Sequence, residues 1–315
     1  MLQSRAMTHL WNVLGHDGAI ENLEASLAAN RLAHAYLITG IHGIGKTTFA
    51  RALAQRLQCT EPNAPCGTCR ACVKISKSVH PDVRVIEGVP TGWKLDKDGA
   101  PPARTNDHEK RTLKVDQIRE VTHWLSQAPF EGKWKIAIVS RFEEANDEAA
   151  NAFLKTLEEP PPHTFLVLTV QDPGLLLPTI ESRCQKISLR PLPLALIENT
   201  LREKYAASPE RATLLARLSN GRIGWAIRAQ SDERILSQRV FALYTLEAIL
   251  NEGRAERINR AGELTKDSAD LPQLLDEWLG WWRDVLVLAN GEQNDARVTN
   301  MDRRSEEHTS ELQSR

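Results

Sequence analysis

The 315-residue sequence has no apolar run approaching the roughly 20 residues that a membrane-spanning helix requires, so no membrane role is expected. It also lacks a dominant charge. Forty Lys and Arg stand against 41 Asp and Glu, a formal net charge of −1. That removes the global basic field with which a free-standing nucleic-acid binder concentrates on DNA. Any DNA contact has to be local or made through partners. Residues 1–11 lack the apolar stretch of a secretory signal, and Met7 offers a second start after Met1. These absences predict a cytoplasmic protein. Disulfides are disfavoured there, so the five cysteines call for another explanation. With 41% hydrophobic and 26% charged residues, the composition is that of an ordinary globular chain, long enough for two or three domains.

The first half alternates strand and helix signals. Asp17–Ala29 reads as a helix with Asp17 as its N-cap, Ala35–Thr39 as a short apolar strand, and Lys46–Leu57 as a helix. Val83–Glu87 and Lys135–Val139 read as strands on either side of an amphipathic helix, Val115–Gln127. Asn146 caps a helix that stops near Glu158, before Pro160, Pro161 and Pro162. Phe165–Thr169 and Gln185–Leu189 complete the strands. The alternation predicts an α/β fold, a parallel sheet covered by helices on both faces. Gly88–Thr112 is polar and aperiodic and reads as an exposed insertion loop.

Beyond Pro191 and Pro193 the strand signals stop. Leu194–Lys204, Pro209–Leu218 and Gly224–Ala229 read as short helices, with longer ones at Asp232–Leu250 and Leu271–Leu288. The last of these carries a wide apolar stripe, Leu271, Leu274, Leu275, Trp278, Leu279, Trp282, Val285 and Leu286, suited either to an intramolecular core or to packing between subunits. Arg304–Ser314 (RSEEHTSELQS) is polar and aperiodic and matches the translation of a sequencing-adapter oligonucleotide. We read 304–315 as a non-native tail and the helical segment before it as incomplete.

Three motifs carry chemistry. Gly40-Ile-His-Gly43-Ile-Gly45-Lys46-Thr47 fits GxxxxGK[ST] and lies between a strand and a helix, as a phosphate loop requires. Its glycines let backbone amides turn toward phosphate oxygens at a helix N-terminus. Lys46 suits the β- and γ-phosphates of ATP or ADP, and Thr47 suits Mg²⁺. Hydrolysis further needs an acidic pair at the end of a buried strand. After Lys135–Val139 stand Ser140 and Arg141, and Glu143 and Glu144 come too late. An intact cradle beside a missing metal carboxylate predicts binding with little or no turnover. The second motif is Cys59, Cys66, Cys69 and Cys72, with two overlapping CxxC steps. A redox pair would explain two of these thiols; tetrahedral Zn²⁺ explains four. The third is the run 151–161, NAFLKTLEEPP, followed by Ser182-Arg183-Cys184 after a strand and a short helix.

This third motif resembles the signature of bacterial DNA polymerase III clamp-loader subunits, an AAA+ family. HAYLITG at 34–40, the cysteine quartet, His80-Pro81-Asp82 and Val115-Asp-Gln-Ile-Arg119 are similar to that family as well, and the likeness spans about residues 10–230. The VTNMD run at 298–302 is a further, isolated likeness. Ser140-Arg141 and Gly224 are similar to the delta-prime type. The gamma/tau motor subunits carry the acidic pair and a nucleotide-sensing arginine at those places. The resemblance implies an AAA+ domain at 1–191 with a zinc module at 59–72, a small helical lid at 192–231 and a helical collar at 232–303. It implies a ring with gamma/tau and delta subunits that loads the sliding clamp on primer–template DNA as part of the DNA polymerase III holoenzyme. Arg183 would act in trans as an arginine finger at a neighbour's ATP. An active gamma/tau-type ATPase is the alternative.

Overall fold

The computed structural model describes residues 11–90, 92–93, 101–102, 104, 109–265, 271–289 and 298–300. The start at Met1 or Met7 and the tail at 304–315 lie outside the described residues. The chain divides into two compact units: the residues up to Arg104 together with Lys110–Arg190, and a second unit from Pro191 onward.

The first unit is built on a five-stranded sheet. In chain order its main elements are α1 (Asp17–Ala28), β1 (Ala35–Thr39), α2 (Lys46–Gln58), α3 (Arg70–Ser76) and β2 (Val83–Ile86). A two-stranded ribbon follows, β3 (Val89–Pro90) and β4 (Arg111–Thr112). Then come α4 (Val115–Leu125), β5 (Lys135–Val139), α5 (Asp147–Glu158), β6 (Thr164–Val170), α6 (Pro178–Glu181) and β7 (Gln185–Ser188). The sheet order is β2-β5-β6-β1-β7, and every pairing is parallel. Strands buried on both faces read as continuous apolar runs, because successive side chains enter opposite layers. Tyr36 and Ile38 of β1 join Phe49, Leu53 and Leu57 of α2 in one core, while Ala35 and Leu37 join Ile118, Leu125, Phe153 and Leu157 of α4 and α5 in the other.

Two local expectations fail. Asp17 is the first helical residue of α1; the N-cap is His16, in the left-handed region at φ 62° with no side-chain cap. The segment 88–112 is not simply an exposed loop. Its ends pair as the β3–β4 ribbon, Val89 is fully buried and Arg111 is 7% exposed, because backbone pairing closes the insertion at its root. Helix α3 was not foreseen, since seven residues among cysteines show no apolar period.

The turn entering β5 is held by side chains from two other elements. Asp82, fully buried, accepts the N–H groups of Phe130, Glu131 and Gly132, each at 2.8 Å, and pairs with the Lys135 ammonium at 3.4 Å. Gln58, at the end of α2, accepts Lys133 N–H at 2.9 Å and donates to Trp134 O at 2.6 Å. Lys135 also stands 4.4 Å over the Trp124 ring.

The second unit is helical: α7 (Leu194–Tyr205), α8 (Pro209–Leu218), α9 (Ile223–Ser231), α10 (Glu233–Asn251), α11 (Arg254–Leu264) and α12 (Leu271–Ala289). Ile197, Leu201, Ala212, Leu215 and Ala226 bury the contacts among α7, α8 and α9. Trp278 donates to Ala242 O at 2.7 Å and docks α12 on α10. Asp284 of α12 accepts Thr299 N–H and Thr299 Oγ1–H, plus two donors of Asn300, and Asn300 Oδ1 accepts Arg239 of α10 at 2.6 Å. The apolar stripe of α12 splits. Leu274 is buried, whereas Leu275, Leu279, Trp282 and Leu286 stay 43%, 66%, 39% and 62% exposed.

Burial opposes charge on Asp82, but the three backbone donors and Lys135 outweigh it and hold its carboxyl below the usual value. A depressed folded pKa stabilises above the unfolded value, about 4, and that stability is lost as pH falls through the lower folded value. Asp82→Ala is expected to cost about 3–5 kcal/mol, since it leaves three donors and a buried ammonium without their acceptor. In denaturant titrations, wild-type stability should fall below pH 4 more steeply than that of Asp82→Asn; parallel profiles would contradict this role.

Candidate nucleotide loop, metal cluster and arginine arm

Parallel strands end at a common edge, and the phosphate-loop motif leaves β1 at that edge. Gly40, Gly43 and Gly45 have φ of 148°, 75° and 107°, the last as the N-cap of α2. A Cβ on Gly40 would stand 2.8 Å from Leu189 O, so backbone contact as well as conformation demands glycine there. Lys46, 7% exposed, donates to Gly40 O at 2.5 Å and Ile41 O at 3.1 Å. Thr47 Oγ1 lies 3.4 Å from Ser140 Oγ at the end of β5. Thr47 thus meets a hydroxyl where ATP hydrolysis would require a metal-holding carboxylate.

The residues after Ser140 turn away from that contact. Arg141 takes a left-handed conformation, φ 52°, and its N–H donates to Thr169 Oγ1 at 3.0 Å. Glu143 Oε1 accepts Gln171 N–H at 3.2 Å, just past β6. Glu144 is paired with Arg104 at 2.6 Å; burial pushes its carboxyl up despite that arginine.

His16 is a residue that sequence reasoning missed. Its ring meets Phe49 of α2 edge-on at 6.4 Å and lies near the backbone of Ile44, inside the phosphate loop. Burial holds the imidazole below its usual pKa, against the raising effects of the Ile44 backbone and of Asp17. The only signal was a histidine directly before a helix, which by itself means little. Trp11 is a second such residue: it packs on Phe49 at 5.8 Å and donates to Glu24, which also holds Arg56 of α2 at 2.7 Å.

The four cysteines converge, and one ligand atom from each lies within 4.8 Å of all the others, so the cluster could hold a metal ion. Cys59 directly follows α2, and Cys69 is the N-cap of α3. Cys66 Sγ accepts Cys69 N–H at 3.2 Å, and Cys69 Sγ accepts Cys72 N–H at 3.5 Å. Backbone donation from Cys69 and then Thr68 brings the Cys66 thiol down to about 6, toward the thiolate a metal requires. Burial pushes Cys72 the other way. The module is tied to the sheet through Glu131, which pairs with Lys74 of α3 at 2.7 Å and faces His80 at 3.7 Å. Cys184 stands apart, with its thiol pushed up to about 12 by burial.

Arg183 follows α6 and lies at the other end of α5 from Asn146, which caps that helix by accepting Ala149 N–H. Its Nη2 pairs with Glu158 Oε1 at 2.6 Å, and its Nη1 donates to Thr179 O at 2.8 Å. Its side chain is 34% exposed.

Residues 15–193 match the family model described as DNA polymerase III, delta subunit. A delta' subunit of DNA polymerase III from Bacillus subtilis (strain 168) is 30% identical over 298 residues, covering 93% of this chain and 80% of that protein. The chain belongs to the delta-prime clamp-loader subunits of DNA polymerase III. The Escherichia coli (strain K12) delta' subunit is 33% identical over 75% of this chain and 69% of its own length. The tau subunit of the same strain is 32% identical over 74% of this chain, which spans only 35% of that protein. Among solved structures, a Thermotoga maritima DNA polymerase III gamma subunit-related protein aligns over 81% of this chain and 76% of its own, with 19% identity and a TM-score of 0.39. The Thermotoga maritima RuvB Holliday junction branch migration motor covers 72% of this chain and 64% of its own, with 14% identity and a TM-score of 0.44. Among the described residues, no helix is long and apolar enough to cross a membrane.

Elemental analysis of the purified chain is expected to find about one metal ion per four-thiol cluster. Cys69→Ser should lose the ion and expose the 59–72 loop to proteolysis, since metal binding and local folding are coupled. Full metal retention in Cys69→Ser would remove the cluster from consideration.

Proposed function

We propose that this chain is the non-hydrolysing member of a clamp-loader ring. It would assemble with gamma/tau and delta subunits to place a sliding clamp on primer–template DNA, supplying a scaffold and an arginine to a neighbour's ATP. The observation that carries this reading is the Thr47–Ser140 hydroxyl pair at 3.4 Å. Thr47 and the glycine cradle of Gly40, Gly43 and Gly45 suit a nucleotide and its Mg²⁺, but the strand end beside them offers a hydroxyl and then Arg141. Neither can hold a metal or orient water as a carboxylate does. Lys46 would exchange the carbonyls of Gly40 and Ile41 for phosphate oxygens of ATP or ADP. The active gamma/tau-type ATPase remains the alternative, and Ser140-Arg141 speaks against it.

Zinc is the metal that best suits Cys59, Cys66, Cys69 and Cys72. A tetrahedral ion with Zn–S of about 2.3 Å requires sulfurs about 3.8 Å apart, and Cys59 Sγ and Cys69 Sγ are 3.8 Å apart. Four thiolates close the shell, so zinc there would staple the loop between α2 and α3 without catalytic chemistry. Within the second unit, we assign 192–231 to a lid and the helices from 232 onward to a collar. The exposed Leu275, Leu279, Trp282 and Leu286 form the apolar face suited to packing against other subunits.

Arg183 is assigned to the neighbour's site because this chain lacks the carboxylates to use such a group itself. A guanidinium stabilises the charge that spreads over a transferring phosphoryl group. Its present partners, Glu158 and Thr179, leave a structural role as the competing account.

The isolated chain is expected to bind ATP or ADP, to lose that binding in Lys46→Ala, and to show negligible turnover; hydrolysis at rates typical of a motor would overturn the reading. In the reconstituted loader, Arg183→Ala should lower ATPase and clamp loading with folding and metal content unchanged. Arg183→Lys should restore little, since an ammonium does not reproduce the planar fork. A lowered melting temperature with intact ring ATPase would instead mark Arg183 as structural.

A further inference from the structure

Arg183 does not point freely away from its own chain. Both terminal nitrogens are engaged: Nη2 with Glu158 Oε1 at 2.6 Å, and Nη1 with Thr179 O at 2.8 Å and Ser182 Oγ at 3.4 Å. Glu158 is the last residue of α5, where Pro160 to Pro162 stop the helix, so its carboxylate is fixed beside α6 by the chain's own termination. The Glu158 side chain is 48% exposed and that of Arg183 34%, so the pair lies at the surface, within reach of a second anion.

We propose that Glu158 is a positioning residue that holds Arg183 in a resting orientation, from which the guanidinium is released to an oligophosphate on a neighbouring subunit. The inference rests on the assignment of Arg183 to a partner's ATP. Its physical basis is competition for one fork. A guanidinium uses the same terminal N–H groups for a carboxylate as for a phosphate. A single half-exposed carboxylate holds it weakly, while a triphosphate brings several negative charges. The exchange is therefore favourable only when nucleotide is present next door. Until then the carboxylate biases the arginine toward its resting orientation. Thr179 O and Ser182 Oγ limit how far the side chain moves when Glu158 lets go.

The test uses the loader reconstituted from gamma/tau, delta and variants of this chain, with ATPase measured against ATP concentration on primed DNA. Glu158→Gln removes the charge and keeps the shape. It is expected to raise kcat/KM for ATP about two- to fivefold, the factor corresponding to loss of an exposed ion pair. Glu158→Asp, which retains the charge on a shorter arm, should fall between Glu158→Gln and wild type. The gain should vanish in the Arg183→Ala background. A merely structural Glu158 would lower kcat/KM or leave it unchanged, and either result overturns the proposal, as does a gain that persists without Arg183. If Arg183→Ala alone leaves ring ATPase intact, the assignment of Arg183 to a partner's ATP fails first, and this inference fails with it.

Discussion

Parallel pairing of five strands is the constraint on which the rest of the first unit depends. Because β1, β5 and β6 run the same way, their C-terminal ends fall on one edge. The phosphate loop after β1, Ser140 after β5 and Thr169 near the end of β6 therefore meet there although they are far apart in sequence. The register is specified by burial on both faces. A one-residue slip of β1 would move Tyr36 and Ile38 out of the layer formed with α2 and into the layer formed with α5.

The sheet also anchors the cysteine module. Asp82 and Gln58 grip the turn before β5, and Glu131 of that same turn pairs with Lys74 of α3. One short turn thus joins the start of β5, the end of α2 and the helix that presents Cys72. A metal at the four sulfurs would act on a segment already held on one side, as a staple suited to a scaffold. The arginine arm is built in the same economical way. Helix α5 begins with the Asn146 cap just past the C-terminal end of β5 and ends with the carboxylate that holds Arg183, so one rigid rod joins that edge of the sheet to the arm.

In the second unit a polar cluster supplements the apolar contacts between α10 and α12. Asp284 gathers four hydrogen bonds from Thr299 and Asn300, and Asn300 passes the connection to Arg239 on α10. Such a cluster fixes the register of α12 on α10 while leaving one face of α12 apolar and exposed. That division serves a helix that belongs to its own unit on one side and offers surface on the other.

Much of this was legible in the chain alone. Short, mostly apolar runs located β1, β5 and β6, because a strand buried on both faces turns apolar side chains into two layers. The phosphate loop, the cysteine quartet, the 151–161 run and Ser182-Arg183-Cys184 were legible because each is a local pattern whose spacing carries its chemistry. Other features depend on residues distant in sequence. No local signal told that Asp82 would capture the amides of 130–132, that His16 would pack on Phe49, or that Glu158 would hold Arg183. Helix α3 has too few residues for a period, and the β3–β4 pairing joins residues more than 20 positions apart. Propensity and spacing act over a few residues, so most elements, and the groups suited to phosphate or metal, could be read along the chain. Which of those groups meet depends on the folded chain, because burial and hydrogen-bond partners come from segments far apart in sequence.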